Sequence, residues 1–186
     1  MENQPRRQFV RGAAWSVPAI IATTSLPVYA ASPHPILDGW VNNRTRCYTG
    51  KENMLYEIDG RGTYPTRGLW ISGASSTAKI TNVKITQYIS TTAGKLTFRV
   101  GATSQWTLLT YDATAPVKSG YYAYTTNFTG TWSYNTSNKL WIPSTQPFFQ
   151  ASSNVCVNAL KVITVRQAVV DGKTYTTERS GTLKPA

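Results

Sequence analysis

Few side chains in this sequence could act as an acid, a base or a nucleophile. His34 is the only histidine among 186 residues and lies between two prolines, so a serine or cysteine nucleophile has no suitable base. A glycosidase would instead need two carboxylates at a defined separation. Glu57 and Asp59 share one strand parity, and a hydrolase would use this pair. We favour the alternative, in which both carboxylates lie on a solvated face and pair with Arg61 or Arg67.

Aromatic side chains are concentrated between residues 121 and 141, where seven of them occur. In each of the segments 121–128 and 131–134, two rings share strand parity, so pairing of the segments would gather the rings on one face. Flat rings pack against the C–H groups of sugars, and lysines at the margins suit acidic glycans or polymers. The alternative is that these rings fill the core or form cross-strand pairs. The predicted binding surface consists of Tyr122, Tyr124, Trp132, Tyr134, Trp141, Lys118 and Lys139.

The chain is strongly basic, with a formal net charge of +11. Residues 31–186 alone contain sixteen basic and seven acidic side chains, a net charge of +9. This excess favours anionic partners such as wall polymers, acidic lipid head groups or nucleic acid. No stretch resembles a nucleic-acid-binding module, so we expect no nucleic-acid partner. The alternative is that the charge, which is spread along the chain, serves solubility alone.

The N-terminal residues have the order of an export signal. The basic run Arg6-Arg7-Gln8-Phe9-Val10-Arg11 is followed by mostly small or apolar residues and then by Val28-Tyr29-Ala30-Ala31. Small residues at this point predict cleavage after Ala30. The apolar stretch of about 16 residues contains two prolines and is shorter than the roughly 20 residues of a spanning helix. The alternative is that the segment stays on the chain as a short membrane anchor or a buried helix.

The N-terminal motif resembles the twin-arginine export consensus. The residues that carry this resemblance are Arg6, Arg7, Phe9, Val10 and Arg11. Pro5 departs from the family, which more often has Ser or Thr there, and residues 12–19 are similar to signals of actinobacterial secreted proteins. The resemblance implies export in the folded state by the twin-arginine machinery. It also implies cleavage by signal peptidase at a site formed by Val28, Ala30 and Ala31.

Cys47 and Cys156 are the only cysteines. An even count in an exported protein predicts one disulfide, which here would tie the start of the domain to its end. Closing a loop of about 110 residues would stabilise the fold by roughly 4 to 5 kcal/mol in the chain-entropy model. Metal binding would need further Cys or His ligands nearby, and no glycine loop carries the Lys and Ser/Thr of a phosphate site. We therefore expect neither a metal nor a cofactor.

The region after residue 35 has the pattern of an all-β domain. Short alternating apolar stretches are separated by Gly, Pro, Asn or Asp, and no long 3.6-residue period occurs. We expect a flexible lead at 31–36 and a single antiparallel β-sandwich at 37–186. Roughly eight to ten strands are predicted, at the spacing of a sandwich. They include segments 55–58, 69–71, 106–111, 121–128, 131–134 and 140–142.

Two hairpins are also predicted. Segments 79–90 and 96–100 each alternate, and residues 91–94 would form the turn between them. Near the C-terminus, an apolar run that begins at Val155 ends at Val170, and Asp171-Gly172 separates it from 174–177. Asp-Gly favours a tight turn because both residues can take a positive φ.

The order of four segments resembles that of bacterial surface immunoglobulin-like domains. These segments are an aliphatic strand at 80–86, a Trp-Thr pair at 105–107, a Tyr-rich strand at 122–125 and a return strand at 147–149. The resemblance covers about 100 residues. It implies an immunoglobulin-like sandwich that serves as a spacer, an adhesive module or a partner-binding domain.

These observations together predict a secreted, non-enzymatic protein of the cell envelope or surface. It would bind a cell-wall polymer, a glycan or another surface protein, either free or held to the wall by non-covalent contacts. The C-terminal residues include no apolar tail, so the sequence predicts no membrane stop there. Two alternatives stay open, namely a secreted hydrolase with a carboxylate pair and a structural spacer without a ligand.

Overall fold

The computed structural model describes residues 34–48, 54–100 and 105–185, all of which belong to the unit Ser32–Ala186. The residues of the predicted export signal and its cleavage site lie outside the described residues. Within the described ranges the chain forms thirteen strands and one short 3-10 turn, Thr91–Ala93. The strands are β1 (Ile36–Trp40), β2 (Asn42–Cys47), β3 (Met54–Asp59), β4 (Gly68–Ser72), β5 (Ile80–Ser90), β6 (Thr97–Val100), β7 (Thr110–Tyr111), β8 (Tyr121–Asn127), β9 (Trp132–Asn135), β10 (Leu140–Pro143), β11 (Phe148–Ser153), β12 (Leu160–Val170) and β13 (Lys173–Leu183).

The strands form three antiparallel sheets. The first sheet has the order β1-β4-β10-β9, the second β2-β3-β11-β6, and the third β13-β12-β5-β8-β7. Most neighbours in the first two sheets are far apart in sequence, whereas β12 and β13 are joined directly. The predicted all-β class with antiparallel sheets is therefore confirmed. In the described part of the chain, no helix has the length and apolar character needed to cross a membrane.

One apolar core is shared by the three sheets. Alternate residues of β11 and most alternate residues of β12 are buried, as expected for strands with one face against a core. The largest fully buried side chains include Leu37 and Ile71 from the first sheet, Tyr56 and Phe149 from the second, and Tyr124 from the third. Sheets that bury one face each against a common core are consistent with a β-sandwich.

The predicted C-terminal hairpin is confirmed. Its turn residues Asp171 and Gly172 have φ values of 50° and 80°, and Val170 pairs with Lys173. Asp171 also fixes the turn to the start of β5, because its Oδ1 accepts a hydrogen bond from the backbone N–H of Lys79 at 2.7 Å. The strand β12 begins only at Leu160, so the alternating residues before it belong to a turn.

The predicted hairpin of segments 79–90 and 96–100 is wrong. β5 pairs with β8 and β12 in the third sheet, whereas β6 pairs with β11 in the second. The chain leaves β5 through the 3-10 turn and reverses at Gly94, whose φ is 71°. It then buries Leu96 and Phe98 in the core, where the Phe98 ring meets Tyr124 edge-on at 5.3 Å. Alternation alone does not distinguish this crossing from a hairpin.

The other predicted strands agree with the structure except for one. The segment 106–111 forms only the two-residue strand β7, and Trp106 makes an isolated bridge to Phe128. The segments at 55–58, 69–71, 121–128, 131–134 and 140–142 correspond to β3, β4, β8, β9 and β10.

Candidate functional site

The predicted aromatic surface does not form as one platform. β8 pairs with β5 and β7 in the third sheet, whereas β9 pairs with β10 in the first, so the segments 121–128 and 131–134 are not neighbours. Tyr124 is fully buried, and its hydroxyl accepts a hydrogen bond from the Leu96 backbone N–H at 2.8 Å. Burial raises the pKa of Tyr124, and this hydrogen bond opposes the shift in part. Tyr124 is therefore a core residue, and the prediction that it belongs to a binding surface is wrong.

Tyr122 belongs to a smaller aromatic group on the third sheet. Its ring meets Tyr111 edge-on at 6.0 Å, and Lys95 Nζ lies 4.4 Å from the centroid of Tyr111 and 5.6 Å from that of Tyr122. Lys118 is not in this group, because its Nζ bonds to Glu178 at 3.1 Å and lies 5.2 Å from the ring of Tyr88. The lysine beside these rings is therefore Lys95, which was not among the predicted surface residues.

The rest of the predicted surface lies together on the β9–β10 hairpin. Tyr134 pairs with Trp141 across the two strands, and their rings meet edge-on at 5.3 Å. Lys139 stands in the turn between the strands with a φ of 52°. Trp132 packs against the ring of Phe128 at 5.5 Å, and all three hairpin rings are half-buried. Cross-strand pairing accounts for this arrangement, and a binding role for the hairpin stays a prediction.

Glu57 is buried in β3 and has partners on both carboxylate oxygens. Its Oε1 forms an ion pair with Arg44 on the neighbouring strand β2, and its Oε2 accepts a hydrogen bond from Gln150 Nε2 at 2.7 Å. The two strands that flank β3 therefore supply the partners of Glu57. Burial together with these partners disfavours the approach of a substrate to this carboxylate.

Asp59 is also buried but pairs with arginines from the loop that follows β3. Arg61 Nε lies 3.0 Å and Arg67 Nη1 3.6 Å from its carboxylate oxygens. Burial would raise the pKa of Asp59, but the hydrogen bonds from Arg61 and the charges of both arginines outweigh burial and lower it. The predicted pairing with these two arginines is confirmed for Asp59 and wrong for Glu57, which pairs with Arg44. The predicted solvated face is also wrong, because both carboxylates are buried.

The positive charge of the domain is not neutralised by its carboxylates. The described residues contain fifteen basic and six acidic side chains, a net charge of +9. Each of these six carboxylates already has a partner within the chain. The pairs are Asp38 with Arg179, Glu57 with Arg44, Asp59 with Arg61, Asp112 with Thr114, Asp171 with the Lys79 backbone N–H, and Glu178 with Lys118. Within the described ranges, no group of three His, Cys, Asp or Glu side chains could hold a metal ion.

The predicted disulfide between Cys47 and Cys156 is confirmed, and their Cα atoms lie 5.6 Å apart. Cys47 is the last residue of β2, and Cys156 follows β11. Because β2 and β11 flank β3, the bond joins the two neighbours of β3 at the end where β3 begins.

A cleft lies between the β1–β2 segment and the β12–β13 hairpin. It has a volume of about 280 Å³ and is lined by both apolar and hydrogen-bonding side chains. Residues of β12 and β13 that face each other in register, such as Thr164 with Arg179 and Val162 with Gly181, line its floor. The residues of the other wall run from Gly39 to Asn43. No residue of this cleft was predicted as a site residue.

Arg166 is the buried cation of this cleft, and only 6% of its side chain is exposed. Its Nη1 donates a hydrogen bond to the Gly39 carbonyl at 3.1 Å and lies 3.9 Å from Asp38 Oδ1, whereas its Nε has no hydrogen-bond partner. Burial lowers the pKa of Arg166 to about 10; the charge of Arg179 acts in the same direction and that of Asp38 opposes it. The guanidinium therefore stays charged at neutral pH with part of its hydrogen-bonding capacity unused.

Trp40 forms the exposed aromatic edge of the same cleft. Trp40 is 61% exposed, and its indole N–H donates a hydrogen bond to Asn42 Oδ1 at 2.9 Å. This hydrogen bond holds the ring in one orientation while most of the residue stays exposed to solvent. An exposed and oriented tryptophan beside a buried arginine is an arrangement that can recognise a flat, anionic ligand.

The sequence does contain one signal that points to the cleft. Arg166 lies at the parity of the core residues Leu160, Val162, Ala168 and Val170 in β12 and is the one charged residue at that parity. A charged residue at a core position is expensive to bury unless it has a partner or a function.

No protein-family model matches the chain, and no curated protein or solved structure matches it either.

Proposed function

We propose that this protein is a secreted, non-enzymatic domain that binds anionic polymers of a bacterial envelope. The observation that carries the proposal is the uncompensated positive charge, because the described residues contain fifteen basic side chains and only six carboxylates. All six carboxylates already have partners within the chain, so the remaining cations are available to an external anion. Such an excess attracts polyanions over long range.

The arrangement of Glu57 and Asp59 supports a function without catalysis. The two side chains are held by different arginines, and Glu57 also accepts the hydrogen bond from Gln150. A hydrolase with this pair would have to break these bonds before substrate could reach either carboxylate. A hydrolytic role would be favoured if Glu57→Gln abolished a measurable turnover of a wall polymer while the fold stayed intact.

Export through the twin-arginine route is part of the proposal. Its support is the motif of Arg6, Arg7, Phe9, Val10 and Arg11, together with a disulfide of the kind that persists in oxidising compartments. The twin-arginine machinery and signal peptidase are the partners that this route requires. The mature protein would then act outside the cytoplasm, at or near the cell wall.

An immunoglobulin-like form of the sandwich is the corresponding proposal for the fold. It is supported by the chain order of the aliphatic strand β5, Trp106, the Tyr-rich strand β8 and the return strand β11. Domains of this kind serve as binding modules or spacers, and the charge excess favours the binding role here.

The binding proposal is tested by co-sedimentation of the purified chain with actinobacterial cell walls. The salt series should run from roughly 0.05 to 1 M, over which charge attraction is largely screened. We expect strong binding at low salt that decreases as salt rises. Arg99 in β6 and Lys161 in β12 are exposed cations that form no ion pair with the described carboxylates. The charge-reversed variant Arg99→Glu/Lys161→Glu should bind less, whereas the matched variant Arg99→Lys/Lys161→Arg should bind as the parent chain does. Absence of binding at every salt concentration would refute the proposal and leave the spacer interpretation.

The export proposal is tested in an actinobacterial host that expresses the full chain. Arg6→Lys/Arg7→Lys should remove the protein from the culture medium, and Arg11→Lys serves as the matched control that keeps the paired arginines. Equal amounts of the parent chain and the double variant in the medium would contradict this route.

A further inference from the structure

The Arg166 guanidinium has hydrogen-bonding capacity left for a further acceptor. Its Nη1 is used by the Gly39 carbonyl, and its buried Nε has no partner. An unpartnered buried N–H is costly, and it marks a guanidinium whose hydrogen-bonding capacity is not fully used within the chain. Planar carboxylates match the guanidinium fork and accept two parallel hydrogen bonds from it. The geometry therefore favours a carboxylate over a neutral group at the bottom of the cleft.

The charges around Arg166 leave room for this anion. Arg166 and Arg179 both line the cleft, and Asp38 is the one carboxylate that pairs with them in the described part of the chain. Asp38 does not line the cleft itself. Two guanidinium groups against one carboxylate leave one positive charge, which a bound carboxylate would neutralise.

The rest of the cleft suits a sugar ring. The exposed indole of Trp40 lines the cleft and can stack against the C–H groups of one sugar-ring face. Asn43 and Thr164 also line the cleft, where the Asn43 amide N–H groups can donate to sugar hydroxyls and the Thr164 oxygen can accept from them. A volume of about 280 Å³ lies at the small end of ligand sites, so the cleft suits a single ring.

We propose that this cleft binds a carboxylate-bearing sugar residue of an acidic glycan, with Arg166 on the carboxylate and Trp40 against the ring. The inference rests on the proposed function and names the ligand class that the domain would select among anionic polymers. The general positive charge attracts any polyanion, whereas the cleft distinguishes a carboxylated sugar from a phosphate polymer or an acidic peptide.

The first test compares two ligands that differ only in charge. Galacturonate oligomers and their methyl esters have the same rings, and binding of each to the purified chain is measured by isothermal titration calorimetry at about 0.15 M salt, where long-range attraction is screened. The oligomer should bind, and the ester should bind at least about tenfold more weakly because it lacks the charge-assisted hydrogen bonds. Equal binding of the two ligands would overturn the role of the carboxylate.

The second test blocks the cleft without changing its charge. Gly181 opposes Val162 in register, and a Cβ added at Gly181 would meet no atom within 4 Å, so a side chain there would enter the cleft. Gly181→Phe should abolish oligomer binding, whereas Thr182→Phe on the opposite face of β13 should not. Trp40→Ala changes an exposed residue and should weaken binding by about tenfold. Unchanged binding by both Gly181→Phe and Trp40→Ala would refute the site.

Two further arms separate this inference from the function on which it rests. Glucose 6-phosphate and a short glutamate peptide are titrated against the same chain, and binding of either as tight as that of the galacturonate oligomer would overturn the ligand class. The cleft variants are also sedimented with cell walls. Wall binding by the parent chain without any oligomer binding would refute the cleft alone, whereas failure of both assays would refute the proposed function as well.

Discussion

Removal of the disulfide provides a quantitative test of how the domain is held together. The bond joins residues that are 109 positions apart, and the chain-entropy model gives about 4.8 kcal/mol for a closed loop of this length at 25 °C. Cys47 is half-buried and Cys156 is exposed, so Cys47→Ser/Cys156→Ser leaves almost no cavity in the core. The change therefore tests the cross-link itself and very little of the packing.

The structure also indicates where the loss would be felt. The disulfide joins β2 to the segment after β11, and β2 is an edge strand that pairs only with β3 in its sheet. Without the bond, β2 keeps its six register pairs with β3, from Asn42 with Asp59 to Cys47 with Met54. We therefore expect the variant to fold to the same structure with a lower free energy of unfolding.

Urea unfolding followed by tryptophan fluorescence measures this loss. With a urea dependence of about 2 kcal/mol per molar, the expected loss corresponds to a midpoint about 2 M lower. The parent chain unfolded in the presence of a reductant should match the serine variant, and this comparison is the control for the substitutions. A loss below about 1 kcal/mol would refute the reasoning, because it would show that the unfolded chain is not restricted by the cross-link.

Three further predictions follow from particular contacts. The arginine partners of Asp59 lower its pKa in the folded state, so its contribution to stability is present above about pH 4 and is lost as the pH falls through the folded-state pKa. The urea midpoints at pH 7 and pH 3 should therefore differ less in Asp59→Asn than in the parent chain. Gly172→Ala should cost about 1 kcal/mol because φ is 80° there, whereas Gly181→Ala, at a position without a positive φ, should change the thermal midpoint much less. Tyr56→Phe removes the hydroxyl that accepts a hydrogen bond from the buried Gln87 amide at 2.8 Å. Urea unfolding should show a free energy of unfolding about 1–3 kcal/mol lower than that of the parent chain. A loss below about 0.5 kcal/mol would contradict the importance of this bond.

The strands that the sequence predicted well are short apolar or alternating stretches between turn residues. The segments that became β4, β8, β9 and β10 are bounded by turn residues, and β12–β13 also had the Asp171-Gly172 turn. Parity tells which residues share a face, but it does not tell which strand lies beside which. The hairpin of β5 with β6 and the aromatic platform of β8 with β9 both failed for this reason.

The strands that the sequence did not predict have weaker patterns. β1 contains Gly39, and β2 is an edge strand in which polar residues occupy nearly every position. β2 is held by its register with β3 and by the ion pair of Arg44 with Glu57, which are tertiary contacts. The cleft was missed for the same reason, since its two walls are brought together only when residues near 40 meet residues near 165 and 180.

The strand order has a consequence for when the domain can fold. The Thr177 hydroxyl donates to the Leu37 carbonyl across 140 residues, and Arg166 reaches Gly39 across 127 residues. The strand β1 therefore has no complete set of partners until residues as far along the chain as Thr177 have been synthesised. Proteins with such non-local pairing fold in milliseconds to seconds, more slowly than helical bundles do. These long-range contacts favour completion of the fold after synthesis, as the proposed export of a folded domain would require.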